Sequence, residues 1–94
     1  MYLEASDRQE FAQGIVDAVI EKEGDTSLES NIADTFIENF SKLEGLHIEA
    51  SHVWMDLVIS WVKSRPSEML AMIKANYRDP KPILQKIIEY KKPY

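Results

Sequence analysis

One pair of residues has the spacing of metal ligands. Glu49 and His52 form a Glu-x-x-His pattern, which places a carboxylate and an imidazole on one helical face, as in carboxylate-bridged two-metal bundles. Such a site needs a second Glu-x-x-His and two further inward-facing glutamates, and the sequence has no second copy of the motif. We therefore predict no metal site here, and expect His47 and His52 to be exposed histidines near the start of a helix.

The residue patterns of catalysis are also missing. The chain has no cysteine, which excludes a thiol nucleophile and a thiolate zinc site. No serine stands in a Gly-x-Ser-x-Gly turn, and the glycines at 14, 24 and 45 are isolated, so there is no phosphate-binding loop. A domain of 94 residues buries only about 60–65% of its unfolded surface, which leaves little room for a deep pocket. We predict a non-enzymatic protein with no catalytic residue and no cofactor.

Two tryptophans indicate either a core or a binding surface. Trp54 and Trp61 are seven residues apart and so lie on one helical stripe, in a sequence region that also contains Met55, Met69 and Met72. Tryptophan anchors many interfaces, and methionine adapts to varied partners. A broadly apolar helix must nevertheless be buried by something, which favours a core position for both rings. The sequence leaves the choice open.

Charge is divided unevenly along the chain, whose formal net charge is −5. Residues 1–50 contain twelve acidic and three basic residues, whereas residues 51–94 contain eight basic and four acidic residues, giving −9 and +4. The halves can neutralise each other within one domain, or the acidic half can attract a basic protein surface. The candidate partner surface consists of Glu10, Asp17, Glu21, Asp34 and Glu38.

The basic half suggests two alternative functions. Its candidate surface consists of Lys74, Arg78, Lys81, Lys86, Lys91 and Lys92, with tyrosines interleaved. One alternative is binding of nucleic acid, although the chain as a whole is acidic and DNA-binding domains are usually basic. The other is a homo-oligomer in which the acidic half of one copy contacts the basic half of the next.

Start and stop signals predict the first two helices. Ser6 and Gln9 have the spacing of a capping box, so the first helix is expected over about 7–23, with Gly24 as a left-handed stop. A second capping box at Thr26 and Glu29 predicts the next helix, which is expected to end at 45.

Helix three is predicted from the large apolar share of its circumference, and the last two helices are predicted from prolines. Its start lies between 46 and 51, and its polar positions (52, 56, 60, 63 and 64) cover about a third of the circumference. Pro66 predicts the first position of helix four, and Asp79-Pro80 predicts a cap and first position for helix five.

Together these signals predict an all-α fold: a compact bundle of about five helices around a central, mostly buried helix three. We expect one domain over 1–94, with frayed tails at 1–6 and 91–94. No apolar run approaches the roughly 18 residues of a membrane span, and no signal peptide is visible, so we expect a cytoplasmic protein without a membrane partner. The function we expect is a helical binding module, such as a regulator, inhibitor, adaptor or assembly factor, that docks on another protein.

Overall fold

The computed structural model describes residues 4–43 and 52–90, which form five α-helices and no strand. The helices are α1 (Ala5–Glu23), α2 (Ser30–Ser41), α3 (His52–Ser64), α4 (Pro66–Asn76) and α5 (Lys81–Tyr90). The predicted all-α class is confirmed. Helix α2 ends at Ser41 with Lys42 as its cap, so the predicted extension of helix two to 45 is wrong. Ser51, proposed as the cap of helix three, lies outside the described residues, and so do Gly45 and the tail residues 91–94.

The first helix begins two residues earlier than predicted. Its N-cap is Glu4, whose backbone N–H donates to Asp7 Oδ2 at 3.3 Å. Ser6 lies inside the first turn, so the predicted capping box of Ser6 and Gln9 is wrong. The carboxylate of Asp7 serves the same purpose as the predicted glutamine, because it accepts a bond from an otherwise unpaired amide and carries negative charge near the positive end of the helix dipole.

The second helix begins later than predicted, at Ser30. The backbone N–H and hydroxyl of Ser27 both donate to the carbonyl of Gly24, at 3.1 and 2.7 Å, and these bonds hold residues 24–27 in a turn. Glu29 is therefore the N-cap rather than the third helical residue, and the capping box proposed for Thr26 and Glu29 is wrong. Leu28 is still buried, so this turn contributes to the core.

Prolines locate the last two helices closely. Helix α4 begins at Pro66, as predicted. Helix α5 begins at Lys81, one residue later than predicted, because the carbonyl of Pro80 accepts bonds from the amides of Ile83 and Leu84 at 3.0 and 3.1 Å. Pro80 is therefore the cap of α5 rather than its first helical residue.

Helix α1 is the main hub of the bundle, and helix three is central only in part. Helices α1, α2 and α4 contact one another pairwise, α3 lies on α1 and α4, and α5 packs on α4. The buried residues of α1 form one broad face that covers nearly half of its circumference: Phe11, Ala12, Ile15, Val16, Ala18 and Val19. On α3, by contrast, Val53 is 69% exposed and Leu57 is 49% exposed. The prediction that helix three is central is thus supported in part, because α3 packs on two other helices, whereas α1 is the main hub and the outward side of α3 is exposed.

Contacts between side chains give the helix directions. The rings of Phe11 and Phe40 are 6.0 Å apart, so the start of α1 lies beside the end of α2 and the two helices are antiparallel. Helix α3 runs in the same direction as α1, because Trp54 lies 5.4 Å from Phe11 and Lys63 lies 3.4 Å from Glu21 further along both helices.

Helices α4 and α5 form an antiparallel pair beside this group. The hydroxyl of Ser67, at the start of α4, donates to Glu23 at the end of α1, so α4 runs antiparallel to α1. Lys86 Nζ in the second half of α5 lies 3.1 Å from Glu68 Oε1 at the start of α4. These contacts together show that successive helices alternate in direction along the chain.

Candidate functional site

A groove between α1 and α2 is lined by two acidic residues. It has a volume of about 320 Å³, and we call it the acidic groove. Its lining residues are Gln9, Gln13, Asp34, Ile37, Glu38 and Ser41. The two glutamines are four residues apart on α1, and the two carboxylates are four residues apart on α2, so each pair lies on one helical face. Antiparallel packing of the two helices brings these faces together.

The acidic groove combines an apolar floor with a charged rim. Ile37 is 8% exposed and belongs to the core, whereas Asp34 and Glu38 are exposed. Glu38 forms an ion pair with Lys42 at 3.0 Å, and Asp34 has no ion pair with any residue in 4–43 or 52–90. The side chain of Arg8 also lies beside the groove, where its Nε donates to the carbonyl oxygen of Ser41 at 3.0 Å, and Asp34 is the rim carboxylate without an ion pair among the described residues.

Three of the five acidic residues predicted to bind a partner are near this groove. Asp34 and Glu38 line it, and Asp17 adjoins it because Gln13 Nε2 donates to Asp17 Oδ1 at 2.9 Å. Glu21 points elsewhere, toward Lys63 on α3, and the exposed Glu10 does not line the groove. The predicted surface is thus divided between different sides of α1.

The uncharged lining of the groove was not predicted from the sequence. Gln9, Gln13, Ile37 and Ser41 were not among the candidate residues, although the spacing of the two glutamines was visible in the sequence. What the sequence did not show is that α1 and α2 pack with these two faces adjacent.

The candidate basic residues do not form one surface within the described chain. Lys74, Arg78 and Lys81 are exposed around the turn between α4 and α5, where Arg78 lies 5.4 Å above the ring of Tyr77. A pocket of about 370 Å³ adjoins this turn and includes the carboxylate residue Asp79. Lys86 lies far along α5 and pairs with Glu68. Lys91 and Lys92 lie outside the described residues.

The two tryptophans occupy different environments. Trp61 is 4% exposed and belongs to the core, together with Val58 and Val62 of the same helix. Trp54 is partly buried at the edge of that core, against Phe11. The core interpretation therefore fits Trp61 fully and Trp54 in part.

The interior is apolar in the part of the chain that the structure describes. Every buried residue there is apolar, and no group of three or more His, Asp or Glu residues is placed to hold a metal ion. Glu49 and the side chain of His52, which form the only ligand-like motif, lie outside the described atoms. None of the described helices is both long and apolar enough to cross a membrane.

Comparison with known proteins gives no relative. No protein-family model matches the chain, and no curated protein or solved structure resembles it significantly. Its function must therefore be inferred from its own surface and interior.

Proposed function

We propose that this protein is a small, non-enzymatic helical module that binds another protein, and that it does so through the acidic groove. The observation that supports this is the pairing of Asp34 and Glu38 on the rim with Ile37 on the floor. A lysine or arginine side chain fits such a place, because its methylene stem can lie on the apolar floor while its charged end reaches the carboxylates. The partner would therefore present a basic segment to α1 and α2.

The distribution of charge supports the same role. Residues 1–50 carry a formal charge of −9, and both helices that form the groove belong to this half. A surface of one sign speeds the encounter with a partner of the opposite sign, and exposed charges at a rim affect the association rate more than the final affinity. The module would act by covering or bridging the partner's basic surface.

The test is affinity capture from a native extract with a groove variant and a matched control. Asp34→Lys with Glu38→Lys reverses the rim charge, and Asp25→Lys with Glu89→Lys makes the same charge change at exposed positions outside the groove. We expect the wild-type and control chains to retain the same protein, and the groove variant to lose it. Circular dichroism checks that all three chains are folded. Equal retention by all three chains would exclude the groove as the binding site.

Nucleic-acid binding is the alternative, and the exposed Lys74, Arg78 and Lys81 around one turn favour it. Nuclease treatment of the extract separates the two functions. If recovery requires intact nucleic acid and is lost in Lys81→Glu with Lys86→Glu, the basic half is the functional surface and the groove proposal fails. Nucleic-acid binding should also weaken steeply with salt, because bound counterions are released.

A further inference from the structure

The outward side of α3 carries a stripe of two apolar and two small polar residues. Val53, Leu57, Ser60 and Ser64 are spaced by four, three and four residues, so they share one side of the helix. All four are exposed, and Val53 and Leu57 are the only large hydrophobic residues that are exposed within 4–43 and 52–90. The first half of the stripe therefore has large apolar side chains, and the second half has small polar ones.

A second feature flanks this stripe. Asp56 and Lys63 are seven residues apart, so they lie on the same edge of it. Asp56 is exposed and has no ion pair with a described residue, and the side chain of Lys63 remains 44% exposed although it lies 3.4 Å from Glu21 Oε2. The same helix thus presents an acid near one end and a base near the other.

We propose that two copies of the chain associate through this outward side of α3, with the two helices antiparallel around a two-fold axis near residues 58 and 59. In this register Val53 and Leu57 lie against Ser64 and Ser60 of the second copy, where small side chains leave room for large ones. Asp56 of each copy then faces Lys63 of the other. An antiparallel pair brings this charged edge of both helices together and is self-complementary in shape and charge, whereas a parallel pair would place the two charged edges on opposite sides of the contact.

The expected dimer is weak and reversible. Stable interfaces bury about 800 Å² on each partner, and one face of a single 13-residue helix offers less than this. This inference is independent of the proposed function, because the acidic groove lies on α1 and α2. It also differs from head-to-tail association of acidic and basic halves, which would form a closed ring or an open filament.

Sedimentation equilibrium over a dilution series tests the interface. We expect the wild-type mass to rise with concentration from one chain to a limit of two. Leu57→Lys should remain a single chain, because it places charge in the centre of the apolar contact. Gln85→Lys adds the same charge at an exposed position on α5 and should behave like the wild type. A wild-type mass of one chain throughout, a mass that grows beyond two chains, or a dimer unaffected by Leu57→Lys would each overturn the proposal.

Charge exchange tests the register. Asp56→Lys and Lys63→Asp should each lose the dimer alone, since each places like charges in contact across the axis. An equimolar mixture of the two variants should recover it, and so should the chain that carries both substitutions. Circular dichroism confirms that each variant is folded. A mixture that remains monomeric would contradict the antiparallel arrangement.

Discussion

Helices α1 and α3 are both apolar around much of their circumference, but they hold different places in the bundle. Helix α1 contacts three other helices and buries residues over nearly half of its circumference. Helix α3 contacts α1 and α4, and it leaves Val53 and Leu57 exposed. The number of apolar positions therefore does not decide which helix is central.

Side-chain size explains the difference better. Ala12 and Ala18 of α1 are buried, and Gly14 comes so close to α3 that an added Cβ would lie 3.4 Å from Ile59 Cδ1. Small residues on several sides of one helix allow neighbouring helix axes to approach, and the distance between packed helices depends on the side chains at the contact. The faces of α3 carry larger side chains, and α3 lies on the outside of the three-helix group.

The largest effect is expected for the buried tryptophan. Trp61→Ala should lower the free energy of unfolding by about 3–5 kcal/mol, because it leaves a cavity in the core. Trp54→Ala should lower the free energy of unfolding by clearly less, since Trp54 is only partly buried. Urea unfolding followed by circular dichroism measures both. Equal losses would mean that the two ends of α3 are equally buried, contrary to the structure.

A matched pair of isoleucines compares the two helices directly. Ile15 of α1 is 0% exposed, whereas Ile59 of α3 is only partly buried. Ile15→Ala should cost about 2–5 kcal/mol of unfolding free energy, and Ile59→Ala should cost less because its surroundings are partly solvent already. The same urea titration applies. If Ile59→Ala lost more unfolding free energy than Ile15→Ala, α3 would be packed more tightly than α1, contrary to the structure.

Local signals predicted the elements of this fold well. Gly24 ends α1 and Pro66 begins α4, because each residue imposes or permits one backbone geometry regardless of distant contacts. The predicted start of α2 was wrong because Ser27 bonds to the carbonyl of Gly24 and forms a turn there. The sequence alone does not show that this turn is more stable than a capping box at Thr26.

Features that depend on packing between helices were not predictable in the same way. The carboxylates of Asp34 and Glu38 share a face by their spacing alone, but only the packing of α2 on α1 places them across from Gln9 and Gln13. The same holds for Glu21, which was grouped with the other acids although it faces Lys63. Charge patterns identify the residues of a surface, whereas tertiary packing decides which of them are neighbours.

Two glycines of α1 should respond in opposite directions to alanine. Gly24 has φ 105° and ψ 158°, a region that is almost restricted to glycine, so Gly24→Ala should cost about 1–3 kcal/mol. Gly14 is helical, and its alanine variant should gain about 0.5–1 kcal/mol of helix propensity while meeting only the flexible end of Ile59. Thermal unfolding measures both changes. A loss of stability in Gly14→Ala would show that α3 lies too close to α1 to accept one methyl group.

The smallest effect concerns the ion pair that joins the ends of α1 and α3. Lys63→Met removes the ammonium group that lies 3.4 Å from Glu21, and a partly exposed pair contributes about 0–1 kcal/mol to the free energy of unfolding. Salt should diminish this difference by screening the charges. Lys42→Met is the control, because its pair with Glu38 lies within α2 and joins no two helices. The stability of both variants is measured at low protein concentration, so that the proposed dimer does not contribute. If Lys63→Met costs more than Ile59→Ala, the ionic contact rather than apolar packing holds α3 on the central helix.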